Sequence, residues 1–296
     1  MAQRSPLQPE LVARLSSLSL RARMVVDGVL TGLHRSPHHG SSIEFAEHKE
    51  YAPGDDIRHL DWKALARFDR LYIKKYEDET NLRAFVMLDA SGSMAYGNPV
   101  AQQKIDYAKT LSAALMYLLH IQQDAAGLTF FAGNIRQTIP PRASAKLFQD
   151  GLFALEQVDA DGETNFGGVF NHMAQMMSGR NLVVIISDLL DMSEQDLLLM
   201  QQLKQRRNDV ALFHVLHRDE LTFPFDSLTR FESMEDERFA LAEPQAMRHA
   251  YIEAVEAFID STRKSCNEVG IDYNLAISDM AYDDVLVPFL RRRMRR

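Results

Sequence analysis

The sequence has very little cysteine and no long apolar run. Cys266 is the single cysteine among 296 residues, so no disulfide can form within the chain. Apolar stretches such as 182–186 fall far short of the roughly 20 residues that a membrane-spanning helix needs. Residues 1–6 lack the apolar core of a signal peptide. We therefore expect a soluble, cytoplasmic protein with no membrane span.

Basic charge and the common catalytic signatures are also missing. The formal net charge is −8, with 33 Lys and Arg against 41 Asp and Glu, so we expect no nucleic-acid partner. The chain contains no glycine-rich loop of the kinds that cradle nucleotide phosphates or dinucleotides. A Gly-x-Ser-x-Gly nucleophile elbow is absent too. Together these absences argue against nucleotide-dependent enzymes and serine hydrolases.

Short apolar segments alternate with amphipathic ones from residue 84 onward, which is typical of a doubly wound α/β fold with a mainly parallel sheet. Residues 11–33 predict an N-terminal helix, Ile135–Pro140 an antiparallel edge strand, and residues 219–243 a hairpin insertion. We expect an N-terminal segment over residues 1–80, packed on an α/β domain over residues 81–296. The predicted strands are Ala84–Asp89, Ala125–Ala132, Leu182–Asp188, Val210–His217 and Ile271–Ser278, and the predicted helices are Val100–Gln122, Ala143–Leu155, Gly167–Met177, Ser193–Arg207 and Pro244–Val269.

Oxygen-bearing side chains follow the first of these strands at alternate positions. Asp89, Ser91 and Ser93 come directly after the apolar run 84–88. A carboxylate and two hydroxyls on one side of a tight loop are suitable ligands for a hard cation such as Mg²⁺. The alternative is structural, because strand-terminal Asp and Ser often cap the helix that follows.

Further ligands are predicted at the same edge of the sheet. Thr164 lies in a polar loop before a helix, and Asp188 ends another apolar strand. Ligands of open parallel sheets bind beyond the carboxyl ends of the strands, so all five side chains can converge there.

In order and element type, these five residues resemble the metal-ion-dependent adhesion site of von Willebrand factor A domains. The resemblance implies that Ser91, Ser93 and Thr164 contact Mg²⁺, or Mn²⁺ as an alternative, directly or through water. It also implies that Asp89 and Asp188 bind the ion or hold its waters. The neutral hydroxyls leave net positive charge on the ion, so a partner's carboxylate completes its coordination.

A second resemblance rests on residues 44–63, Glu-Phe-Ala-Glu-His-Lys-Glu-Tyr-Ala-Pro-Gly-Asp-Asp-Ile-Arg-His-Leu-Asp-Trp-Lys. This segment is similar to the signature of the bacterial family called domain of unknown function 58. The sequence departs from the family at Lys49, where arginine is more usual, and in lacking the transmembrane helices of many members. Within this segment, a charged turn and a tryptophan stand out: Asp55, Asp56, Arg58, Asp61 and Trp62. They are open to two interpretations, a structural clasp or a docking surface.

The family resemblance implies a non-enzymatic, Mg²⁺-dependent protein-binding module. Members are often encoded beside AAA+ ATPases of the MoxR type, so we expect a co-chaperone or adaptor that links such an ATPase to a client protein. The rival hypothesis is a Mg²⁺-dependent hydrolase with Asp89 or Asp188 as base, although the sequence offers no candidate nucleophile beside them. A third alternative is a purely structural role.

Overall fold

A computed structural model describes residues 8–15, 17–34, 48–50, 72–74, 82–97, 103–190, 192–235 and 237–294. The described residues fall into two compact units, one containing 48–50 and 72–74 and the other containing the rest. The larger unit includes the N-terminal helices as well as the described residues from Leu82 onward. The proposed clasp, from Asp55 to Trp62, lies outside the described residues.

Helices and strands alternate along the larger unit, and the smaller unit contributes one strand pair. Strands β1 and β2 of the smaller unit pair antiparallel, with His48 opposite Lys74. The helices are α1 (Pro9–Ala13), α2 (Leu18–His34), α3 (Lys104–Ile121), α4 (Ala145–Gln157), α5 (Phe166–Met176), α6 (Glu194–Gln205), α7 (Arg218–Thr222), α8 (Pro244–Glu268) and α9 (Tyr282–Arg293), and the strands are β1 (His48–Glu50), β2 (Tyr72–Lys74), β3 (Arg83–Asp89), β4 (Ala125–Phe131), β5 (Ile135–Arg142), β6 (Asn181–Ser187), β7 (Asp209–Leu216), β8 (Thr229–Glu232), β9 (Phe239–Ala242) and β10 (Asp272–Ile277).

The larger unit is built on a six-stranded sheet in the order β10-β7-β6-β3-β4-β5. All neighbouring strands run parallel except β5, which pairs antiparallel with β4 at one edge. Because β3 lies between β6 and β4, the loop that follows β3 is flanked by the ends of two other parallel strands. The α/β architecture, its mainly parallel sheet and its antiparallel edge strand are thus confirmed.

Both faces of the sheet are covered, which explains why its central strands β3 and β6 are apolar along most of their length. On one face Val86 and Leu88 of β3 pack into a cluster with α2, α3, α4 and α9. On the other face Phe85 and Met87 pack with α5, α6 and the end of α8. Successive side chains of a strand point to opposite faces, so each face receives alternate residues.

An insertion between β7 and α8 contains α7 and the β8–β9 hairpin, where Glu232 pairs with Phe239. The base of this hairpin is anchored by aromatic contacts: the ring centroid of Phe223 lies 5.5 Å from that of Phe231 and 4.4 Å from that of Tyr251 on α8. Arg248 of α8 donates hydrogen bonds to the carbonyls of Phe223 (3.1 Å) and Phe225 (2.8 Å). The insertion is therefore fixed to the domain through α8.

Two helical features differ from the predicted pattern. In place of one helix over residues 11–33, the structure has two, since α1 ends at Ala13 and α2 begins at Leu18. The helix α9, which was not predicted, contains Pro288 and ends in Arg291, Arg292 and Arg293. In the part of the chain that the structure describes, no helix is long and apolar enough to cross a bilayer.

Candidate functional site

The first strand-end carboxylate, Asp89, is fully buried where β3 ends. One of its oxygens, Oδ1, accepts a hydrogen bond from the backbone N–H of Ser91 (3.0 Å). The other, Oδ2, accepts one from the hydroxyl of Ser187 at the end of β6 (2.6 Å). Ser187 is itself fixed because its Oγ accepts from the N–H of Leu189 (2.9 Å). Asp89 is thus held at the junction of two neighbouring parallel strands.

The next two ligand candidates, Ser91 and Ser93, lie in the turn after β3, at the start of a short 3₁₀ helix over Gly92–Ala95. Both are buried, and their Oγ atoms lie 3.1 Å apart. Ser91 makes no side-chain capping hydrogen bond within the described residues, so the capping alternative does not account for its hydroxyl. Neighbouring ligand oxygens on an Mg²⁺ octahedron lie about 3 Å apart, since each is roughly 2.1 Å from the ion. The two hydroxyls are hydrogen-bonded to each other in the structure, and their spacing also suits two neighbouring ligands of an ion.

The second strand-end carboxylate, Asp188, is paired with a lysine that the sequence did not point to. Lys104, the first residue of α3, is 1% exposed. Its Nζ donates to Asp188 Oδ2 (2.7 Å) and to Glu220 Oε1 of α7 (2.7 Å). A cation at a helix N-terminus meets the positive end of the helix dipole, so these carboxylates must outweigh an unfavourable field. Lys104 consequently competes with any metal ion for Asp188.

Charge in this pocket is unevenly compensated. Burial, followed by the nearby charge of Asp188, raises the pKa of Asp89 from 3.8 to about 7. Burial would also raise the pKa of Asp188, but the charge of Lys104 and hydrogen bonds from Lys104, Leu190 and Ser93 lower it below 3.8. Burial alone would lower the pKa of Lys104, yet Asp188 and Glu220 raise it. Asp89 is thus the carboxylate without a compensating cation.

The loop that carries Thr164 is hydrogen-bonded to the loop after β3. Asp161 donates its N–H to the carbonyl of Ala90 (2.9 Å), and Gly92 donates to the carbonyl of Gly162 (2.8 Å). Thr164 is half-buried, and the N–H of Asn165 donates to Ala132 at the end of β4 (3.1 Å). The backbone therefore brings Thr164 to the same edge of the sheet as the other four residues.

A buried histidine, also unforeseen from the sequence, lies beneath Asp188. His214 of β7 contacts the carbonyl of Asp188 through Nε2 (3.0 Å) and the hydroxyl of Tyr273 through Nδ1 (2.8 Å). Burial lowers the pKa of His214 to about 4, so the ring is neutral at physiological pH. Both ring nitrogens are occupied, which makes His214 a support for the Asp188 backbone.

A divalent cation fits this donor set on grounds of spacing and charge. In the described residues no three His, Cys, Asp or Glu side chains gather closely enough to hold an ion, so any ion here depends on hydroxyls. Ser91 and Ser93 supply these hydroxyls, and Asp89 supplies a negative charge that lacks a partner cation. Oxygen donors of this kind suit Mg²⁺ or Mn²⁺.

Three comparisons with known proteins bear on this chain. The family described as "Protein of unknown function DUF58" matches residues 47–258. An uncharacterised protein of Mycobacterium tuberculosis (strain H37Rv) is 26% identical over 185 residues, covering 62% of this chain and 58% of that protein. The structure of an aerotolerance-related membrane protein from Bacteroides fragilis covers 72% of this chain and 98% of that chain, with a TM-score of 0.50 and 16% identity. A von Willebrand factor type A structure from Catenulispora acidiphila covers 72% of this chain and 42% of that chain, with a TM-score of 0.40 and 14% identity.

These matches confirm the family resemblance stated from residues 44–63, because the matched region spans most of the chain. The chain spans 58% of the length of the mycobacterial relative. At 16% identity, the likeness to the Bacteroides fragilis structure shows the fold alone.

The buried ion pairs of Lys104 give a first prediction. Replacing Lys104 by Met leaves Asp188 and Glu220 without their cation, so in EDTA the free energy of unfolding should fall by about 3–5 kcal/mol. Added Mg²⁺ should restore part of this loss, because its charge substitutes for the ammonium group. Thermal melts with and without Mg²⁺ measure both effects. Lys109→Met on the same helix is the control, and a Lys104→Met melt that is insensitive to Mg²⁺ would contradict metal binding beside Asp188.

The raised pKa of Asp89 gives a second prediction. Between pH of about 4 and about 7 the folded state binds more protons than the unfolded chain, so stability should fall as pH rises through this window. In EDTA, the melting temperature of the wild-type protein should therefore decrease from about pH 5 to about pH 8 more steeply than that of Asp89→Asn. The exposed Asp159→Asn variant should follow the wild type. Parallel curves for wild type and Asp89→Asn would show that Asp89 titrates normally.

Proposed function

The chain belongs to the DUF58 family, and from this premise we propose that it is a protein-interaction module whose binding site holds a Mg²⁺ ion, with Mn²⁺ as an alternative. The observation that carries the proposal is the convergence of four buried oxygen-bearing side chains at the carboxyl ends of β3 and β6. These side chains are Asp89, Ser91, Ser93 and Asp188. Thr164 joins them from the adjacent loop.

The ion serves binding because its ligands leave it electrophilic. Ser91 and Ser93 are neutral, and Asp188 shares its charge with Lys104 at 2.7 Å. Asp89 is then the main source of negative charge from the protein, so the bound ion retains net positive charge. A carboxylate from another protein is a hard oxygen ligand that completes the coordination. In this proposal the metal bridges the module and an acidic side chain of its partner.

Competition with Lys104 sets how tightly the ion is held. Lys104 and a divalent cation are both drawn to Asp188, and each repels the other across a buried pocket. We therefore propose an exchangeable ion with modest affinity, not a permanent structural metal. Such an ion makes partner binding responsive to the concentration of free Mg²⁺.

The partner that the family resemblance supports is an AAA+ ATPase of the MoxR type, or a client protein of that ATPase. The module would then act in the cytoplasm as a co-chaperone or adaptor during assembly or maturation of the client. The rival function is metal-dependent hydrolysis with Asp89 or Asp188 as base. What weighs against it is that the buried bases His214 and Lys104 are each already engaged by two partners.

Capture of partners from a lysate tests the proposal. The immobilised wild-type protein should retain a MoxR-type ATPase or its client in Mg²⁺ and release it in EDTA, because the bridging ion is removed. Ser93→Ala and Thr164→Ala should each weaken retention by about tenfold, the order of loss seen when the surroundings of a metal are disturbed. Quantitative immunoblotting of the eluate measures the effect.

The control is Ser144→Ala, since the Ser144 side chain at the start of α4 makes no capping hydrogen bond among the described residues. This variant should behave as wild type. Retention that is indifferent to EDTA and to both site variants would contradict the role of the metal. Mg²⁺-dependent hydrolysis by the purified protein, lost in Asp89→Ala, would instead establish the enzyme.

A further inference from the structure

The tip of the β8–β9 hairpin, residues 233–235, lies directly against the turn that carries the two serines. A Cβ atom placed on Gly92 would lie only 2.0 Å from the carbonyl oxygen of Met234 and 3.4 Å from the Cα of Glu235. Any residue other than glycine at position 92 would therefore collide with the hairpin backbone. The contact lies between Ser91 and Ser93, so the hairpin tip packs against the turn that carries these two candidate ligands.

The tip also brings a carboxylate into the site. Glu235 lines a cavity of about 180 Å³ together with Ser93, Lys104 and Glu220. Its Oε1 atom is buried and finds no hydrogen-bond partner among the residues that the structure describes. A carboxylate oxygen withdrawn from water without a donor or a cation is costly. A ligand for this oxygen is therefore to be expected within the cavity.

Lys104, the lysine that lines this cavity, already forms ion pairs with two other carboxylates. Lys104 donates to Asp188 and Glu220, each at 2.7 Å. Glu232, which also lines the cavity, is paired with Arg230 (3.0 Å), whereas Asp89 and Glu235 each lack an ion-pair partner among the described residues. A divalent cation beside the serine hydroxyls would supply the missing positive charge and satisfy the buried oxygen of Glu235.

We propose that Glu235 is an internal ligand of the metal ion and takes the position that a partner's carboxylate occupies in the complex. The inference rests on the proposed function, and it adds a regulatory step to it. In this proposal the hairpin tip covers the ion. The hairpin base is held on α8 by the ring contacts of Phe223 with Phe231 and Tyr251, and by the hydrogen bond from Arg248 to the Phe223 carbonyl. A partner must displace Glu235 to bind, so its own acidic side chain competes with a ligand of the same chemistry.

Calorimetric titration with Mn²⁺ and amide hydrogen exchange test this proposal on the full chain. Glu235→Gln should lower the affinity for Mn²⁺ by about tenfold, in line with the loss of one contributor to a metal's surroundings. In the wild-type protein, Mn²⁺ should slow exchange of the amides of the β8–β9 hairpin, and Glu235→Gln should abolish this protection. Glu237→Gln, an exposed acid of the same hairpin, is the matched control and should behave as wild type in both measurements.

Asp89→Ala separates the two proposals. If Asp89→Ala abolishes Mn²⁺ binding but Glu235→Gln changes neither affinity nor protection, the internal ligand is refuted and the metal site stands. If the wild-type protein binds no Mn²⁺, or Asp89→Ala binds it unchanged, both proposals fall. Weaker binding and lost protection in Glu235→Gln, with an unchanged Glu237→Gln, support the internal ligand.

Discussion

Two carboxylates buried at the ends of neighbouring parallel strands are the constraint on which the site depends. The parallel pairing of β3 with β6 places Asp89 beside Ser187, which directly precedes Asp188, and packing on both sheet faces removes the two carboxylates from water. Like charges in a region of low dielectric repel strongly, so the fold must supply cations or protons. Lys104 compensates Asp188, whereas Asp89 is left with a pKa near 7. The incomplete compensation is the physical ground on which we propose that a divalent ion binds at this edge of the sheet.

The elements around this edge are arranged to support the same pair of acids. The Thr164 loop is attached by backbone hydrogen bonds to the turn after β3, and His214 holds the backbone of Asp188 from β7. From the other side, α7 presents Glu220 to Lys104, and the hairpin tip packs on Gly92. Segments far apart in the sequence thus meet at one point.

The local pattern of apolar and polar residues was sufficient to predict the sheet and the loops that follow its strands. Apolar runs ending in Asp89 and Asp188 predicted the strand ends closely, because the strands of a buried parallel sheet are continuously hydrophobic in sequence. Lys104 and Glu235 carried no local signal: Lys104 meets its two acids across 84 and 116 residues, a pairing that only the tertiary fold creates. Helix α9 was missed because Pro288 and its terminal arginines interrupt the apolar periodicity. Its buried Phe289 packs against Phe213, with ring centroids 5.1 Å apart, so tertiary contact sustains the helix.

A crystal structure of the wild-type protein grown with Mn²⁺ would show directly whether an ion binds at this edge of the sheet. Anomalous scattering locates the ion independently of the protein atoms. The account predicts a single strong peak at the carboxyl ends of β3 and β6, within roughly 2.0–2.3 Å of Ser91 Oγ and Ser93 Oγ. A crystal saturated with Mn²⁺ that shows no peak at these hydroxyls would contradict the account.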